Sequence, residues 1–313
     1  MPAAPEVLII GDYYHVPRQR LIDTYACRIY EDAADPAALL AEIAPSCRAI
    51  ASHARVDDAL MAALPNLGVI ANFGVGFDLV DVAAATKRGI KVTNTPDVLN
   101  DEVADLAVGL MLATSRQMIK ADAYVRAGRW ISDGNMPFTQ RVWGKRLGML
   151  GMGRIGREIA DRCAAFKMEI AYHTRTPKDV PYRHNPDLLA LAADSDILIS
   201  VVPGTPETRH IINTPVLEAL GPQGVLINVG RGSAVDEQAL VACLQDGRLG
   251  SAGLDVFEDE PRVTDALIAM TQNVVLQPHH ASATHDTRDA MGQMMIDNIA
   301  AHFAGQPLIS PVN

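Results

Sequence analysis

In the first hundred residues, apolar runs of strand length at 7–10, 49–52, 67–72 and 91–93 alternate with helical patterns such as 56–64 and 81–88. Alternation of this kind predicts a parallel sheet, because parallel neighbours must be joined by a crossover that is usually helical. Gly89 follows the second of these helices as a C-cap, Pro65 and Pro96 punctuate the connections, and the first lobe is expected to close near residue 97. Over 101–126, Val103, Leu106, Ala107, Leu110 and Met111 recur at helical spacing, which predicts one long helix bridging two lobes. The stretch 128–140, rich in Gly, Pro and polar residues and carrying Trp130, reads as a loop. A second alternating series has strands at 147–150, 169–173, 197–201, 225–229, 253–256 and 274–276, a number that suits a complete dinucleotide-binding domain. A final helical pattern at 287–303 can return the chain to the first lobe. The expectation is an α/β protein of two lobes, residues 98–287 flanked by a lobe made from 1–97 and 288–313.

Composition narrows the partners. With 313 residues, 49% of them hydrophobic, the chain can fill two cores. A formal net charge of −10 argues against nucleic acid and anionic membranes, so an anionic ligand must be met by local cations. No apolar run approaches the roughly 20 residues that span a bilayer, and 7–10 is too short for a signal-peptide core; the expected compartment is the cytoplasm. Cys27, Cys47, Cys163 and Cys243 lack C-x-x-C spacing and read as inert thiols. No metal is expected, since His279, His280 and His285 do not form an H-E-x-x-H helix.

Residues 146–156 read Arg-Leu-Gly-Met-Leu-Gly-Met-Gly-Arg-Ile-Gly, a short strand that enters a helix through Gly151, Gly153, Arg154, Ile155 and Gly156. Gly151 permits the tight turn, Gly153 lets backbone approach a pyrophosphate, and Gly156 lets helix and strand pack closely. The free N–H groups of the helix start then face the anion. About twenty residues on, where NAD-preferring domains place a carboxylate for the ribose hydroxyls, the chain reads Thr174-Arg175-Thr176 with Lys178 nearby. A guanidinium pairs with a 2′-phosphate that a carboxylate would repel, so NADP(H) is the expected cofactor, with NAD(H) second.

Three residues follow predicted strands in this lobe: Arg231 in Asn-Val-Gly-Arg-Gly, Glu260 in Asp-Val-Phe-Glu-Asp-Glu-Pro, and His279 in Gln-Pro-His-His. Ligands of open parallel sheets collect outside the carboxyl ends of the strands, where all three can converge. Reduction of a 2-keto acid needs a cation for the carboxylate, a proton donor for the carbonyl oxygen and a partner that orients that donor; Arg231, His279 and Glu260 supply them in that order.

On these residues, together with Asn72-Phe73-Gly74-Val75-Gly76-Phe77-Asp78, Asp101 to Asp105, Gly253 to Phe257 and Pro278-His279, the chain resembles the D-isomer-specific 2-hydroxyacid dehydrogenase family from about residue 45 to 305. Within it, the chain looks most like the NADPH-dependent glyoxylate/hydroxypyruvate and hydroxyphenylpyruvate reductases. The resemblance implies a Rossmann lobe, a flavodoxin-like substrate lobe built from both chain ends, a cleft that closes between them, and a homodimer. It implies that Val75 and Gly76 bind the substrate carboxylate beside Arg231 and His279, and that Asp255 helps orient the nicotinamide. It also implies that Val202, Pro203, Thr208, Val229 and Gly230 lie along the cofactor. Asn100, where many relatives carry Thr, and His280, often aliphatic or small elsewhere, depart from the family pattern without removing a catalytic group. His53, Arg55 and His280 read either as solvent-facing residues or as tuners of substrate choice, and Trp130 reads as a packing residue or as one that closes over the site or reaches a partner subunit.

Formate dehydrogenases resemble the same family but carry Gln where Glu260 stands. Phosphoglycerate dehydrogenases often add a regulatory domain, whereas this sequence ends just past its last helix. A different class, a protein that senses NAD(P) and binds partners, is separated from an enzyme by turnover on 2-keto acids.

Overall fold

The computed structural model describes residues 6–313. The chain divides into two compact units, Met1–Leu99 with Ser282–Asn313, and Asn100–Ala281. The second crossing thus lies at 281/282 rather than at 287/288, because the last helix, His285–Phe303, belongs entirely to the first unit.

The first unit holds β1 (Glu6–Ile10), β2 (Ala26–Ile29), β3 (Cys47–Ser52), β4 (Val69–Asn72) and β5 (Lys91–Thr93). They form one sheet in the order β2-β1-β3-β4-β5, parallel at every pairing, which is the flavodoxin-like order. Strand β2 has no counterpart in the sequence reading. It is an edge strand that alternates exposed and half-buried residues, and its register comes from pairing with β1 rather than from an apolar run. Leu8, Ile50, Ile70 and Val92 lie in one core with Ile43 and Met61 from the covering helices and Leu64 from the turn that follows. Asp35, Asp57 and Asp81 each start a helix by accepting backbone N–H bonds, the commonest chemistry for an orphaned first turn. The helix expected from 56 begins only at Asp58, because Val56 bridges to Val80 and Asp57 is the cap. Asn298, buried on the last helix, pins the chain end by accepting from the N–H groups of Ile309 and Ser310 at 3.0 and 3.2 Å.

The second unit holds β6 (Arg146–Leu150), β7 (Glu169–His173), β8 (Arg183–His184), β9 (Ile197–Ser200), β10 (Val225–Asn228), β11 (Ser251–Leu254) and β12 (Val274–Leu276). Their order, β12-β11-β10-β9-β6-β7-β8, is all parallel and is the dinucleotide-binding order with a seventh strand at the end. The strand missing from the sequence reading is β8, whose two residues are too short to leave a periodic signal. Leu198, Leu226, Leu217 and Leu240 lie in one buried apolar cluster of this unit.

The long helix expected over 101–126 is two helices, Asn100–Ser115 and Met118–Arg126. Between them Gln117 adopts φ +50°, a left-handed conformation that ends an α-helix and that side chains other than glycine seldom take. The first helix buries Val103, Ala107, Leu110 and Met111, whereas the second buries no residue, so the apolar stripe stops where the break occurs. A further short helix, Arg129–Ser132, lies inside the stretch expected to be loop. Among the described residues no helix is long and apolar enough to cross a membrane.

Candidate active site

Strand β6 delivers the chain to Gly151, whose φ of +101° suits glycine and whose N–H donates to His173 O at 3.1 Å. A Cβ on Gly156 would fall 2.4 Å from Gly151 O, so the helix Arg154–Ala165 packs directly on the turn. A Cβ on Gly153, the N-cap, would meet nothing within 4 Å. The N-cap of the helix therefore borders open space, with Arg154 exposed and Ile155 half-buried beside it. On the neighbouring strands a Cβ at Gly230 would come within 2.6 Å of Val202 O, which sets Val229–Gly230 against Val202. These tight glycines above an amide cradle fit a dinucleotide pyrophosphate.

After β7, Thr174 is half-buried and its hydroxyl donates to Thr176 O at 2.7 Å, while Arg175, Thr176 and Lys178 are exposed. His184 on β8 holds this turn through its Nε2, 2.9 Å from Thr174 O. No acid occupies 174–178. The nearby Glu207 carboxyl is kept below its usual range chiefly by the Thr205 hydroxyl and its own N–H, with the Arg175 charge adding to them. The donor set fits a 2′-phosphate.

Arg231 follows β10. Asn228 braces it, donating from Nδ2 to Arg231 O at 2.9 Å, and Arg231 Nη1 donates to Gly230 O at 2.9 Å. Strand β11 runs into Asp255, which is completely buried. Its two carboxylate oxygens accept from the N–H groups of His280 at 2.7 Å and Ala281 at 3.0 Å, and its carbonyl accepts from His279 N–H at 2.7 Å. Held in that turn, His279 takes φ +51°. Its Nδ1 lies 2.7 Å from Glu260 Oε2 and so carries a proton toward the carboxylate, while Glu260 Oε1 accepts from Phe257 N–H at 2.8 Å. Among the described residues His279 Nε2 makes no hydrogen bond, and the side chain is 46% exposed, so Nε2 is the atom available to a reactant. Burial pushes the Glu260 carboxyl up, but the hydrogen bond and charge of His279, the Phe257 N–H and the charge of Arg231 bring it below the usual carboxylate range. The three expected catalytic residues thus belong to one electrostatic group in the second unit.

In the first unit, Val75 and Gly76 follow β4. Asn72 Nδ2 donates to Gly74 O and Gly76 O at 3.1 and 2.9 Å, and Asn94 Nδ2 donates to Val75 O at 2.9 Å. With the carbonyls so engaged, the Val75 and Gly76 N–H groups make no hydrogen bond among the described residues. Such a turn of free amides suits an anion.

Pro203 is exposed, and Thr208 donates to Pro203 O at 2.6 Å. His53 is exposed, with Nδ1 2.8 Å from Asp12 O and its ring edge-on to Phe73, and Arg55 is exposed on the same loop. His280 is exposed and serves through its backbone N–H. Trp130 is exposed, bonded to Asn135 Oδ1 at 3.1 Å, and Asn100 begins its helix. Sequence reasoning missed the hold of Asp255 on the His279 turn and a second histidine–glutamate pair, His210 with Glu258 at 2.6 Å. Only the acidic run 258–260 hinted at that pair. No group of three or more His, Cys, Asp or Glu side chains that could hold a metal occurs among the described residues.

Residues 108–281 match the model of the D-isomer specific 2-hydroxyacid dehydrogenase NAD binding domain. The chain is 49% identical to a hydroxyphenylpyruvate reductase of Plectranthus scutellarioides, over 87% of this chain and 88% of that protein. It is 48% identical to a glyoxylate/hydroxypyruvate reductase A of Arabidopsis thaliana, over 85% and 86% of the two chains. Among solved structures, the NADPH-dependent glyoxylate/hydroxypyruvate reductase of Sinorhizobium meliloti in complex with NADP and malonate is similar at 47% identity. That match has a TM-score of 0.93 and covers 98% of this chain and 96% of that one.

The lowered Glu260 value has a consequence for stability. A carboxyl that ionises more readily folded than unfolded stabilises the fold fully above the unfolded value, and the contribution fades as pH falls through the folded one. The gap in melting temperature between wild type and Glu260→Gln is therefore expected to narrow as pH is lowered from about 7 to about 3. Thermal unfolding across that range checks it; a gap that stayed constant would contradict the ionised pair.

Proposed function

Because the chain belongs to the D-isomer-specific 2-hydroxyacid dehydrogenases, we propose that it reduces a small 2-keto acid, glyoxylate or hydroxypyruvate, to the D-2-hydroxy acid with NADPH. The observation that carries this is the His279–Glu260 pair within the electrostatic reach of Arg231. The dinucleotide would be held by Gly151, Gly153, Arg154, Ile155 and Gly156, by Val202, Pro203 and Thr208, and by Val229 and Gly230. Thr174, Arg175 and Thr176 would take its 2′-phosphate. When bound, NADPH supplies the hydride that reaches the keto carbon.

The chain's own residues do the rest. Arg231 grips the substrate carboxylate with a guanidinium that presents two parallel donors. Protonated His279 gives its Nε2 proton to the carbonyl oxygen as that oxygen gains charge, and the C=O becomes CH–OH. Glu260 holds the ring by Nδ1 and balances the imidazolium before transfer. Solvent then reprotonates the half-exposed ring. Asp255, accepting from the backbone N–H groups of His280 and Ala281, keeps the His279 turn in place. In the first unit the Val75 and Gly76 amides are proposed to bind carboxylate.

A second copy of this chain is the proposed protein partner. Ile119, Val125, Trp130, Ile131, Phe138 and Trp143 are exposed over 119–143, and Ile131 at 95% is almost wholly so. Large apolar side chains left exposed along one stretch of chain support this reading. The cytoplasm is the proposed compartment, since a reducing environment suits four free cysteines; recovery in a membrane or secreted fraction would count against it.

His279→Ala is expected to lower kcat by at least about 10²-fold, the scale of general-acid catalysis; near-normal turnover would remove His279 from its role. Arg175→Ala is expected to raise KM for NADPH far more than KM for NADH, and equal effects would contradict the phosphate assignment. Light scattering of the purified protein should give twice the chain mass, and a monomer at every concentration would overturn the dimer.

A further inference from the structure

The pair formed by Glu258 and His210 has no part in the chemistry above, yet it lies at the meeting point of the segments that carry it. Loop 203–212, which follows β9, docks on the turn after Arg231. His210 N–H donates to Ser233 O at 2.8 Å, Ile212 N–H to Ala234 O at 2.9 Å, and Asp236 N–H to Ile212 O at 3.0 Å. Gly204 lies against the Arg231 side chain, where an added Cβ would be 3.2 Å from Cγ. Gly232 presses on the Phe257–Glu258 peptide so closely that a Cβ there would fall 1.9 Å from Phe257 C. The N–H of Phe257 in turn holds Glu260 Oε1. The ends of β9, β10 and β11 thus interlock around one peptide.

Glu258 ties the first of these segments to the last. Its Oε1 accepts from His210 Nε2 at 2.6 Å and from Arg209 Nη2 at 2.8 Å, so His210 carries its proton on Nε2. Its N–H donates to Glu237 Oε1 at 2.6 Å, a carboxylate only 6% exposed that begins the helix Glu237–Gln245. His210 itself takes φ +50°, a conformation that persists only where surrounding bonds enforce it. Here those bonds are its N–H to Ser233 and its ring to Glu258. Arg209, 59% exposed, adds little, as surface ion pairs do.

We propose that Glu258 is a positioning residue: through His210 it fixes loop 203–212, with Pro203 and Thr208, against the segment that carries Arg231 and Glu260, and so sets the register in which the dinucleotide meets the catalytic pair. The inference rests on the proposed cofactor contacts of that loop. Glu258 touches no reactant. Releasing it leaves Arg231, Glu260 and His279 chemically intact but frees one wall of the cofactor site.

The test compares wild type, Glu258→Ala, Glu258→Gln, His210→Ala and the double alanine variant of the full chain. Hydrogen exchange is read without nucleotide, NADPH affinity by fluorescence, and kcat with keto acid. Glu258→Ala should speed exchange over 203–212 while peptides from β6 and β7 keep wild-type rates. It should also weaken NADPH binding about tenfold, the scale of one charge-assisted hydrogen bond, with a fall in kcat. Glu258→Gln, which keeps an acceptor for His210 Nε2–H, should return affinity to within about threefold of wild type. The double variant should bind no worse than either single one, because both remove the same bond. NADPH affinity within about twofold of wild type in Glu258→Ala, additive losses in the double variant, or faster exchange throughout the unit would each overturn the proposal. If Glu258→Ala does not fold, His210→Ala breaks the same bond from the other side and carries the same expectations. A wild-type protein that turned over no keto acid would defeat the proposed function, while exchange and NADPH affinity would still decide the role of Glu258.

Discussion

A completely buried carboxylate must be met by donors, and Asp255 is met by the backbone N–H groups of His280 and Ala281. That constraint determines the site around it. It bends the chain after β12 back onto the end of β11 and forces His279 into a left-handed conformation. His279 Nδ1 is then brought within 2.7 Å of Glu260. Burial raises the Asp255 carboxyl above its usual range, with the His280 and Ala281 N–H groups opposing the rise. Such a group is inexpensive only while both donors stay in place, so the turn behaves as a single unit.

The chain as a whole is acidic, with a net charge of −10, yet both ligands of the proposed reaction are anions. Recognition is therefore local. Arg231 stands at the end of β10, Arg175 at the end of β7, and the N-terminus of the helix Arg154–Ala165 at the end of β6, all at the carboxyl edge of one parallel sheet. Parallel strands place their following loops at one edge, and this is why residues 154, 175, 231, 260 and 279, scattered over more than a hundred positions, all follow the carboxyl ends of strands in one sheet. Glycine sets the spacing at two places in particular: Gly156 lets the helix reach the turn, and Gly232 lets the Arg231 segment lie on the Phe257–Glu258 peptide.

Much of this was legible in the sequence where one physical cause dominates. The glycine spacing at 151–156 and the missing acid near Arg175 are local facts, and both point to the cofactor directly. The apolar runs of the central strands are equally local. Features settled by tertiary pairing were not legible. Strand β2 owes its register to β1, and β8 is two residues long. The break at Gln117 needs a left-handed glutamine that no composition signals. Glu258 and Glu260 are neighbours in one acidic run, and sequence alone could not say that one holds His210 and the other His279. Asp255 was visible as a residue of interest, but its hold on the His279 turn depends on β11 and β12 lying side by side.

The central claim is that a positioned imidazole and guanidinium reduce a 2-keto acid at the expense of a phosphorylated dinucleotide. The most direct measurement follows absorbance at 340 nm with purified protein, NADPH or NADH, and glyoxylate, hydroxypyruvate, pyruvate and hydroxyphenylpyruvate in parallel. The account predicts NADPH-selective oxidation with glyoxylate or hydroxypyruvate. Silence with every keto acid, while NADPH still binds tightly, would contradict it.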